Sequence, residues 1–351
     1  KERGVHVKAV TITRVQKVQV MEYPMPEVGP NDVLIQIKAC ALCTMEQRIY
    51  LGKKDVGGYP VIAGHEASGI VVQVGQQVKH CKVGDHVVST DPYCGTCYYC
   101  RTGRASQCQS GIADAVYRRP DGAINMVGYL AEYVAVDKSR AIVVSDVLPF
   151  EQAALTEPLA CCLHSVNKAE IQLGDVVVVI GAGVMGLLHV QLAKRRGAYV
   201  ILAEVDPARR EKALAIGADD AFDPTKIDPA AYIEKKVGVR GVQVVFNTTA
   251  VHEVWAQALS MLSPYGKLIA YSSQYPDTPV PIRMGEVHNT EIEIIGTVSP
   301  NQADMYNAAW LIESGLIDVK PVIQELVPMS QGAEAFEKAV VPGAYRIVIT
   351  M

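Results

Sequence analysis

The sequence predicts an α/β protein of two domains, one mostly β and one built on a parallel sheet. From about residue 8 to 150 it consists of short apolar runs such as VLIQIKA and GIVVQV, separated by glycine, proline and aspartate. From about residue 175 strand-like and helix-like segments alternate, beginning with VVVVI and GVMGLLHVQLAKR. Such alternation is typical of a doubly wound parallel sheet with helices on both faces.

The length and composition agree with this division. A chain of 351 residues favours about two domains, and 49% hydrophobic with 20% charged residues is a soluble globular balance. The segments MYNAAWLIESG, AEAFEKAV and YRIVIT, after about residue 296, look like additions to the first domain. The predicted domains are therefore residues 1–155 with 297–351, and residues 156–296.

The charge and the cysteine content restrict the partners. A formal net charge of -4 argues against nucleic acid or an anionic membrane and favours a small molecule. No apolar run approaches the roughly 18–20 residues of a membrane span, and KERGVHVKAV lacks the apolar region of a signal peptide. We therefore expect a cytoplasmic protein, in which nine cysteines favour metal binding or catalysis over disulfides.

Four cysteines form a compact array in the segment of about residues 91–109, which we call the four-cysteine lobe. The spacing is C-x2-C-x2-C-x7-C, from Cys94, Cys97, Cys100 and Cys108. Four thiolates can enclose one zinc ion tetrahedrally, and a site without an open position is typical of structural zinc. The alternatives are scattered structural cysteines, two disulfides or an iron–sulfur cluster, although the spacing and the β context do not favour a cluster.

A second set of possible ligands, which we call the mixed-ligand site, is spread along the chain: Cys43, His65, Glu66 and Glu157. Thiolate, imidazole and carboxylate are the ligands of catalytic zinc, which keeps one position for water or substrate. Each residue alone is more simply explained as a small buried side chain, a core histidine or a surface charge.

The segment GHEASGIVVQVGQQV, residues 64–78, fills every fixed position of G-H-E-x2-G-x5-G-x2-V and resembles the zinc signature of medium-chain alcohol dehydrogenases. ALCTMEQRIY upstream, then the four cysteines, VGDHV, TEPLACCLH and a dinucleotide motif occur in that family's order. The resemblance spans essentially the whole chain and is greatest to the polyol and threonine dehydrogenases. It implies a GroES-like catalytic domain and a Rossmann domain.

The resemblance also implies that Cys43, His65 and a carboxylate hold a catalytic zinc. Glu66, beside His65, and Glu157, in the TEP turn, both remain candidates for the carboxylate. We further expect a homodimer or a homotetramer.

A glycine motif predicts the cofactor site. Gly181, Gly183 and Gly186 form G-x-G-x-x-G between an apolar strand and a helix that begins with Val184 and Met185. Glycines there permit a tight turn, close approach of the backbone to pyrophosphate and close packing of the helix on the strand. The amides at the helix N-terminus then face the phosphate charge, so we expect the segment to bind NAD.

The next strand, YVILAEV, ends at Glu204, whose carboxylate can bind the adenosine ribose hydroxyls and would repel a 2′-phosphate. Asp206 competes for this role, but its place before Pro207 suits a helix cap. Arg209 lies against adenine or is an ordinary surface charge.

The residues after Cys43 depart from the family pattern of Gly-Ser/Thr-Asp followed, two residues later, by His. Here the run is Cys43, Thr44, Met45, Glu46, Gln47 and Arg48. Glu46 can still orient His65, whereas Met45 offers no hydroxyl and Arg48 stays protonated. We predict that the proton leaves through ordered water and that Arg48 supplies fixed charge near the cofactor ribose or an anionic part of the substrate. A solvated arginine is the alternative.

Together these features predict a zinc-dependent oxidoreductase that transfers a hydride between a secondary alcohol and NAD. Polyols, sugar alcohols and cyclitols are the leading substrates, and an L-threonine-type amino alcohol is the alternative. Ser299 stands where some polyol dehydrogenases carry an arginine, which leaves the substrate open. Two other classes remain: a metal-free quinone or enone reductase, which would not need both ligand sets, and a binding protein with decayed catalysis.

Overall fold

The computed structural model describes residues 6–111, 116–238, 241–274 and 276–351. The strands are β1 (His6–Arg14), β2 (Lys17–Pro24), β3 (Asp32–Ala41), β4 (Val61–Ile62), β5 (Glu66–Val74), β6 (His86–Ser89), β7 (Val116–Arg118), β8 (Ile124–Met126), β9 (Tyr133–Asp137), β10 (Ala141–Val144), β11 (Val176–Ile180), β12 (Tyr199–Ala203), β13 (Asp220–Phe222), β14 (Val242–Asn247), β15 (Leu262–Ala270), β16 (Glu293–Gly296), β17 (Ile323–Pro328) and β18 (Arg346–Thr350).

The α-helices among these residues are α1 (Thr44–Tyr50), α2 (Tyr98–Arg101), α3 (Phe150–Ala153), α4 (Thr156–Ala169), α5 (Val184–Arg195), α6 (Pro207–Ala215), α7 (Pro229–Val237), α8 (Val254–Ser260), α9 (Met284–Thr290), α10 (Gln302–Glu313) and α11 (Gly332–Ala339). Within the described part of the chain, no helix has both the length and the apolar character needed to cross a membrane.

The chain forms two compact units. The first comprises residues up to Ala160 together with Pro300–Met351, and the second is Cys161–Ser299. The boundaries expected from the sequence lie at 155/156 and 296/297, so both differ from the observed ones by a few residues. The first difference arises because α4 runs through the boundary without a break.

The first unit is mostly β. One sheet has the order β2-β1-β4-β8-β7, and the other has the order β10-β6-β5-β3-β18-β17 with β9 also paired to β3. Most neighbours are antiparallel, and the core between the elements is formed by alternate apolar residues such as Val33, Ile35 and Ile37 of β3. The mostly-β architecture predicted for this half is confirmed.

The second unit contains a six-stranded sheet of order β13-β12-β11-β14-β15-β16, in which all paired neighbours are parallel. The central strand β11 is the continuous apolar run VVVVI, and residues 177–180 are buried. A strand with polar residues at alternate positions would not tolerate cover on both faces, so this composition specifies a central parallel strand. The predicted doubly wound α/β class is confirmed.

Candidate metal and cofactor sites

Three strands of the first unit bring distant residues together. Strand β3 pairs with β5 so that Ala41 lies opposite Glu66, and it pairs with β18 so that Ala41 also lies opposite Val348. The chain leaves β3 through Leu42, whose amide donates to the carbonyl of Ile347 at 2.9 Å. The end of β3 therefore meets the starts of β5 and β18, and residues on either side of these points share one location.

Glu46 links two of the predicted ligands. Its Oε1 lies 2.8 Å from Nδ1 of His65, and its Oε2 accepts a hydrogen bond from the backbone amide of Cys43 at 3.0 Å. The amide of Gly64 also donates to Oε1, at 3.2 Å. With Nδ1 facing Glu46, Nε2 is the remaining ring nitrogen for a metal, which is the arrangement expected of a carboxylate that orients a histidine ligand.

The charges of Glu46 and His65 depend on each other because both side chains are buried. Burial opposes ionisation of Glu46, but the attraction and hydrogen bond to His65 lower its pKa. Burial likewise opposes protonation of His65, but Glu46 and the neighbouring Cys43 raise its pKa well above the ordinary value. The pocket around His65 therefore favours a positive charge, which a bound cation can supply in place of the proton.

Arg346 completes this environment and was not identified from the sequence. Its Nε donates to Oε2 of Glu66 at 2.8 Å and its Nη2 donates to Oε1 at 2.6 Å, a bidentate pair. The same Nη2 lies 3.4 Å from Sγ of Cys43. Burial opposes its charge, but Glu66 and Cys43 raise the pKa of Arg346 above its usual range. Its only signal in the sequence is a charge at the start of the final apolar strand, YRIVIT.

The members of the mixed-ligand site, together with Glu46, fall into two overlapping groups that share His65. Cys43, Glu46 and His65 form one group, and His65, Glu66 and Glu157 form the other, with the ligand atoms of each group within 4.8 Å of one another. Glu157 is buried in the first turn of α4. This set of thiol, imidazole and carboxylate donors fits zinc. Glu46 suits an orienting role because its oxygens already accept from Cys43, Gly64 and His65.

The four-cysteine lobe forms a second, separate group. The sulfur atoms of its four cysteines all lie within 4.8 Å of one another. The Cys94 amide donates to Sγ of Cys108 at 3.2 Å, and the Cys97 amide donates to Sγ of Cys94 at 3.3 Å. Hydrogen bonds from Thr96 lower the pKa of Cys94 to about 5, whereas burial and the neighbouring thiols raise the pKa of Cys100 to about 12. Four thiolates at this separation need a cation, and the all-sulfur set fits structural zinc.

The glycine motif lies at the end of β11. Gly181 has φ +95°, and a Cβ at Gly186 would lie 1.9 Å from the Gly181 carbonyl oxygen, so neither position tolerates a side chain. Gly183, the N-cap of α5, would place a Cβ in open space. Val184 and Met185 form the first turn of that helix. The space beside Gly183 and the helix N-terminus that follows it fit a pyrophosphate group.

Glu204 follows β12 and is buried. Its Oε2 accepts a hydrogen bond from the Ala182 amide at 2.8 Å, and its Oε1 accepts from the Asp206 amide at 3.0 Å. Nη1 of Arg209 lies 4.0 Å from Oε2 of Glu204. Asp206 caps α6 by accepting from the amides of Ala208 and Arg209. Glu204 is therefore held against the glycine turn by the amides of Ala182 and Asp206.

The altered run begins at the N-cap Cys43 and continues along α1 from Thr44 to Arg48. Met45 packs against the apolar core of the first unit. Arg48 is partly buried in the last turn of the helix, and its carbonyl oxygen accepts from the amides of Lys53 and Lys54. Ser299, the other departure from the family pattern, has φ +49°.

Comparison with known families gives two matches. Residues 29–146 match the family described as alcohol dehydrogenase GroES-like domain. Residues 184–314 match the family described as zinc-binding dehydrogenase.

Individual relatives match almost end to end. D-arabitol-phosphate dehydrogenase of Enterococcus avium is 30% identical over 334 residues, which are 94% of this chain and 92% of that protein. L-threonine 3-dehydrogenase of Caldanaerobacter subterraneus subsp. tengcongensis is 32% identical over 327 residues, 91% of each. A zinc-binding dehydrogenase of Sinorhizobium meliloti 1021, solved with NADP, has a TM-score of 0.86 and 28% identity, covering 99% of this chain and 100% of that one.

Proposed function

Because the chain belongs to the family of zinc-type medium-chain alcohol dehydrogenases, we propose that it transfers a hydride between a secondary alcohol of the polyol class and NAD. The family and the oxidoreductase class predicted from the sequence are both confirmed. The observation that carries the proposal is the convergence of thiol, imidazole and carboxylate groups around His65.

Cys43, His65 and one carboxylate would hold the catalytic zinc. Zinc in such a site polarises the alcohol or carbonyl oxygen of the substrate and favours loss of the alcohol proton near neutral pH. Glu46 orients His65 through Nδ1 and holds the Cys43 amide. Both oxygens of Glu66 accept from Arg346, which supports Glu157 as the carboxylate ligand in this state.

Proton movement in this chain would not follow the usual hydroxyl-to-imidazole route. Met45 has no acidic hydrogen, and Arg48 remains protonated over the working pH range. Ordered water, with Glu66 or Glu157 as intermediate base, supplies the remaining route, because a carboxylate can accept a proton when it is not bound to metal.

Glu204 supports NAD rather than NADP as the cofactor. A 2′-phosphate at this carboxylate would meet repulsion and lose the contact made by the 2′-hydroxyl, so we expect discrimination of about 100-fold or more. Arg209, at 4.0 Å from Oε2, partly offsets the repulsion. The Sinorhizobium structure, which holds NADP, makes a direct comparison of the two cofactors worthwhile.

The cofactor preference is tested by kcat/KM with NAD and with NADP. We expect Glu204→Gln to reduce the preference for NAD to within about tenfold, because it removes the charge and keeps the shape. Asp206→Asn is the matched control: it retains the α6 cap and should leave the preference unchanged. Equal efficiency of the unaltered enzyme with both cofactors would show that Glu204 does not contact the ribose.

The substrate proposal favours polyols, in agreement with the D-arabitol-phosphate dehydrogenase similarity. The L-threonine 3-dehydrogenase similarity, at 32% identity, makes an amino alcohol the second candidate. A panel of polyols, inositols, phosphorylated sugars and amino alcohols, assayed with NAD while reduced cofactor is followed, tests both. Turnover of a polyol at higher kcat/KM than L-threonine is the expected result, and the opposite order would favour the second candidate.

We also propose that the enzyme acts in the cytoplasm as a homodimer or a homotetramer. The nine cysteines all lie among the described residues and none of them forms a disulfide, which supports a reducing compartment. Strand β16 ends the six-stranded sheet, and exposed Ile294 lies on it, a combination that favours cover by another chain. Light scattering on the purified enzyme, giving a mass of one chain, would contradict the oligomer.

A further inference from the structure

The second unit contains a buried histidine that is not among the predicted metal ligands or cofactor contacts. His189 lies in the middle of α5 and is fully buried. Its Nδ1 lies 2.8 Å from the carbonyl oxygen of Met185, one turn earlier in the same helix, and its Nε2 lies 3.0 Å from Oγ of Ser165 on α4. Ser165 is also fully buried, so no substrate reaches the pair. The two side chains therefore act on the structure around them.

The partners of His189 determine which ring nitrogen carries the hydrogen. A backbone carbonyl oxygen can only accept, so Nδ1 is the N–H group and donates to Met185. The neutral ring then has its lone pair on Nε2, which accepts from the hydroxyl of Ser165. Burial lowers the pKa of His189 to about 4, although the hydrogen bond to Met185 opposes this shift. The ring is therefore neutral over the working pH range, and both of its nitrogens are paired.

Packing holds the imidazole in this orientation. Its ring centroid lies 4.7 Å from that of Phe246, on β14, and 4.6 Å from that of Tyr271, which follows β15. Sγ of Cys162, on α4, donates to the same Met185 carbonyl oxygen at 3.6 Å and lies 3.7 Å from the Tyr271 hydroxyl. The Met185 carbonyl is thus tied to α4 directly and to the parallel sheet through the imidazole ring.

The Met185 carbonyl matters because of its place in the first turn of α5. This carbonyl and the amide of Gly186 belong to one planar trans peptide unit, in which they point in opposite directions. The amide of Leu187 donates to the N-cap carbonyl of Gly183 at 3.0 Å, so Gly186 lies one residue before the intrahelical hydrogen bonds begin. Amides at this point of a helix bind phosphate. Fixing the Met185 carbonyl therefore fixes the direction of an amide of the glycine motif.

We propose that His189 is a positioning residue for the dinucleotide: by holding the Met185 carbonyl, it orients the Gly186 amide toward the pyrophosphate. The proposal rests on the binding of NAD at the glycine motif and adds to it a residue that does not touch the cofactor. A histidine that only filled the core would act through its volume, whereas this role depends on one atom, the Nδ1 donor. Variants that keep or remove this donor separate the two.

Calorimetric titration of the zinc-loaded enzyme with NAD tests the proposal in two amide variants. His189→Asn places its amide nitrogen near the position of Nδ1 and keeps a donor for Met185. His189→Gln places its amide nitrogen near the position of Nε2 and keeps a partner only for Ser165. We expect His189→Gln to raise the Kd for NAD at least about fivefold and His189→Asn to leave it within about twofold. A role in volume alone predicts the reverse order, because asparagine leaves the larger cavity.

Three controls accompany this comparison. Adenosine, which lacks the pyrophosphate, should bind equally to all variants. Leu192→Ala opens a cavity at the buried far end of the same helix, so it should lower the melting temperature and leave the Kd for NAD unchanged. Ser165→Ala removes only the partner of Nε2 and should also keep the Kd for NAD. If His189→Gln does not fold, His189→Leu, which has no donor, takes its place with the same expected rise.

The outcomes that would overturn the proposal are distinct. They are an unchanged Kd for NAD in His189→Gln, an equal or larger rise in His189→Asn, or a loss of adenosine affinity that matches the loss of NAD affinity. An unaltered enzyme that binds no NAD would show instead that the cofactor assignment itself is wrong, and the positioning role would fail with it.

Discussion

The two groups of possible metal ligands differ in how far apart their members lie in the sequence. The four cysteines of the lobe lie within the short segment from Cys94 to Cys108. The residues around His65 come from Cys43 to Glu157, and Arg346 near the end of the chain joins them. In the lobe, backbone amides donate to the sulfurs. In the mixed-ligand site, charged side chains contact the ligands instead. The lobe can therefore form from the local spacing of its cysteines. The mixed-ligand site forms only after the sheet has brought its charged side chains together.

The two sites also differ in what they can do. Four thiolates fill a tetrahedral zinc and leave no position for substrate, which suits stabilisation of the lobe. A thiol, an imidazole and a carboxylate leave a fourth position, which suits chemistry. Variants in the two sites should therefore have opposite effects on turnover and stability.

The largest effect should follow Cys43→Ser. Mutating a residue that hydrogen-bonds to a metal ligand typically lowers activity about 10- to 100-fold. Removing the ligand itself should cost more, so we expect kcat/KM to fall by well over about 100-fold. The melting temperature should change little, because the lobe and the sheet remain. Steady-state kinetics and thermal melting on the same preparation provide the measurement, and substantial residual turnover would remove Cys43 from the metal site.

Cys100→Ser should act in the reverse sense. We expect a loss of several kcal/mol in unfolding free energy, or a loss of assembly, because metal binding by such a site contributes to folding. Molecules that remain folded should keep kcat near that of the unaltered enzyme. A large fall in kcat without loss of stability would contradict a purely structural lobe.

Arg346→Gln should destabilise the first unit by about 3–5 kcal/mol, because it leaves the buried Glu66 carboxylate without its bidentate partner. The double variant Glu66→Gln with Arg346→Gln removes both charges and should recover part of that loss. Urea unfolding of the two single variants and the double variant measures the coupling. Additive effects would show that the pair is not coupled in solution.

The smallest effect on stability should come from Arg48→Ala. If the fixed charge of Arg48 positions the cofactor or the substrate, its removal should raise KM by a modest factor. The pH profile of kcat should keep all its ionisations. Arg48→Lys, which keeps the charge, should retain more affinity than the alanine variant. Disappearance of an ionisation near pH 6.5, the ordinary histidine value, would mean that Arg48 is coupled to a proton carrier.

Sequence reasoning succeeded where a pattern is local. The β11 run followed by the motif at Gly181–Gly186 predicts the parallel sheet and its glycine turn, because strand, turn and helix are consecutive in the chain. The four-cysteine spacing predicts the cluster for the same reason. The family signature around His65 added the distant Cys43, which spacing alone does not reveal.

Arg346 shows where such reasoning stops. Its pairing with Glu66 depends on β18 lying beside β3, a contact between opposite ends of the chain. No motif or spacing in the sequence links Arg346 to Glu66. The apolar residues that follow Arg346 predict only a strand.

The most direct test of the account is to remove metal gradually with a chelator while zinc content, turnover and melting temperature are measured on the same samples. We expect two zinc ions per chain, one in the mixed-ligand site and one in the four-cysteine lobe. Turnover should be lost as the mixed-ligand site empties, and the fold should be lost as the lobe empties. One zinc per chain, iron in place of zinc, or turnover that survives loss of the metal would contradict it.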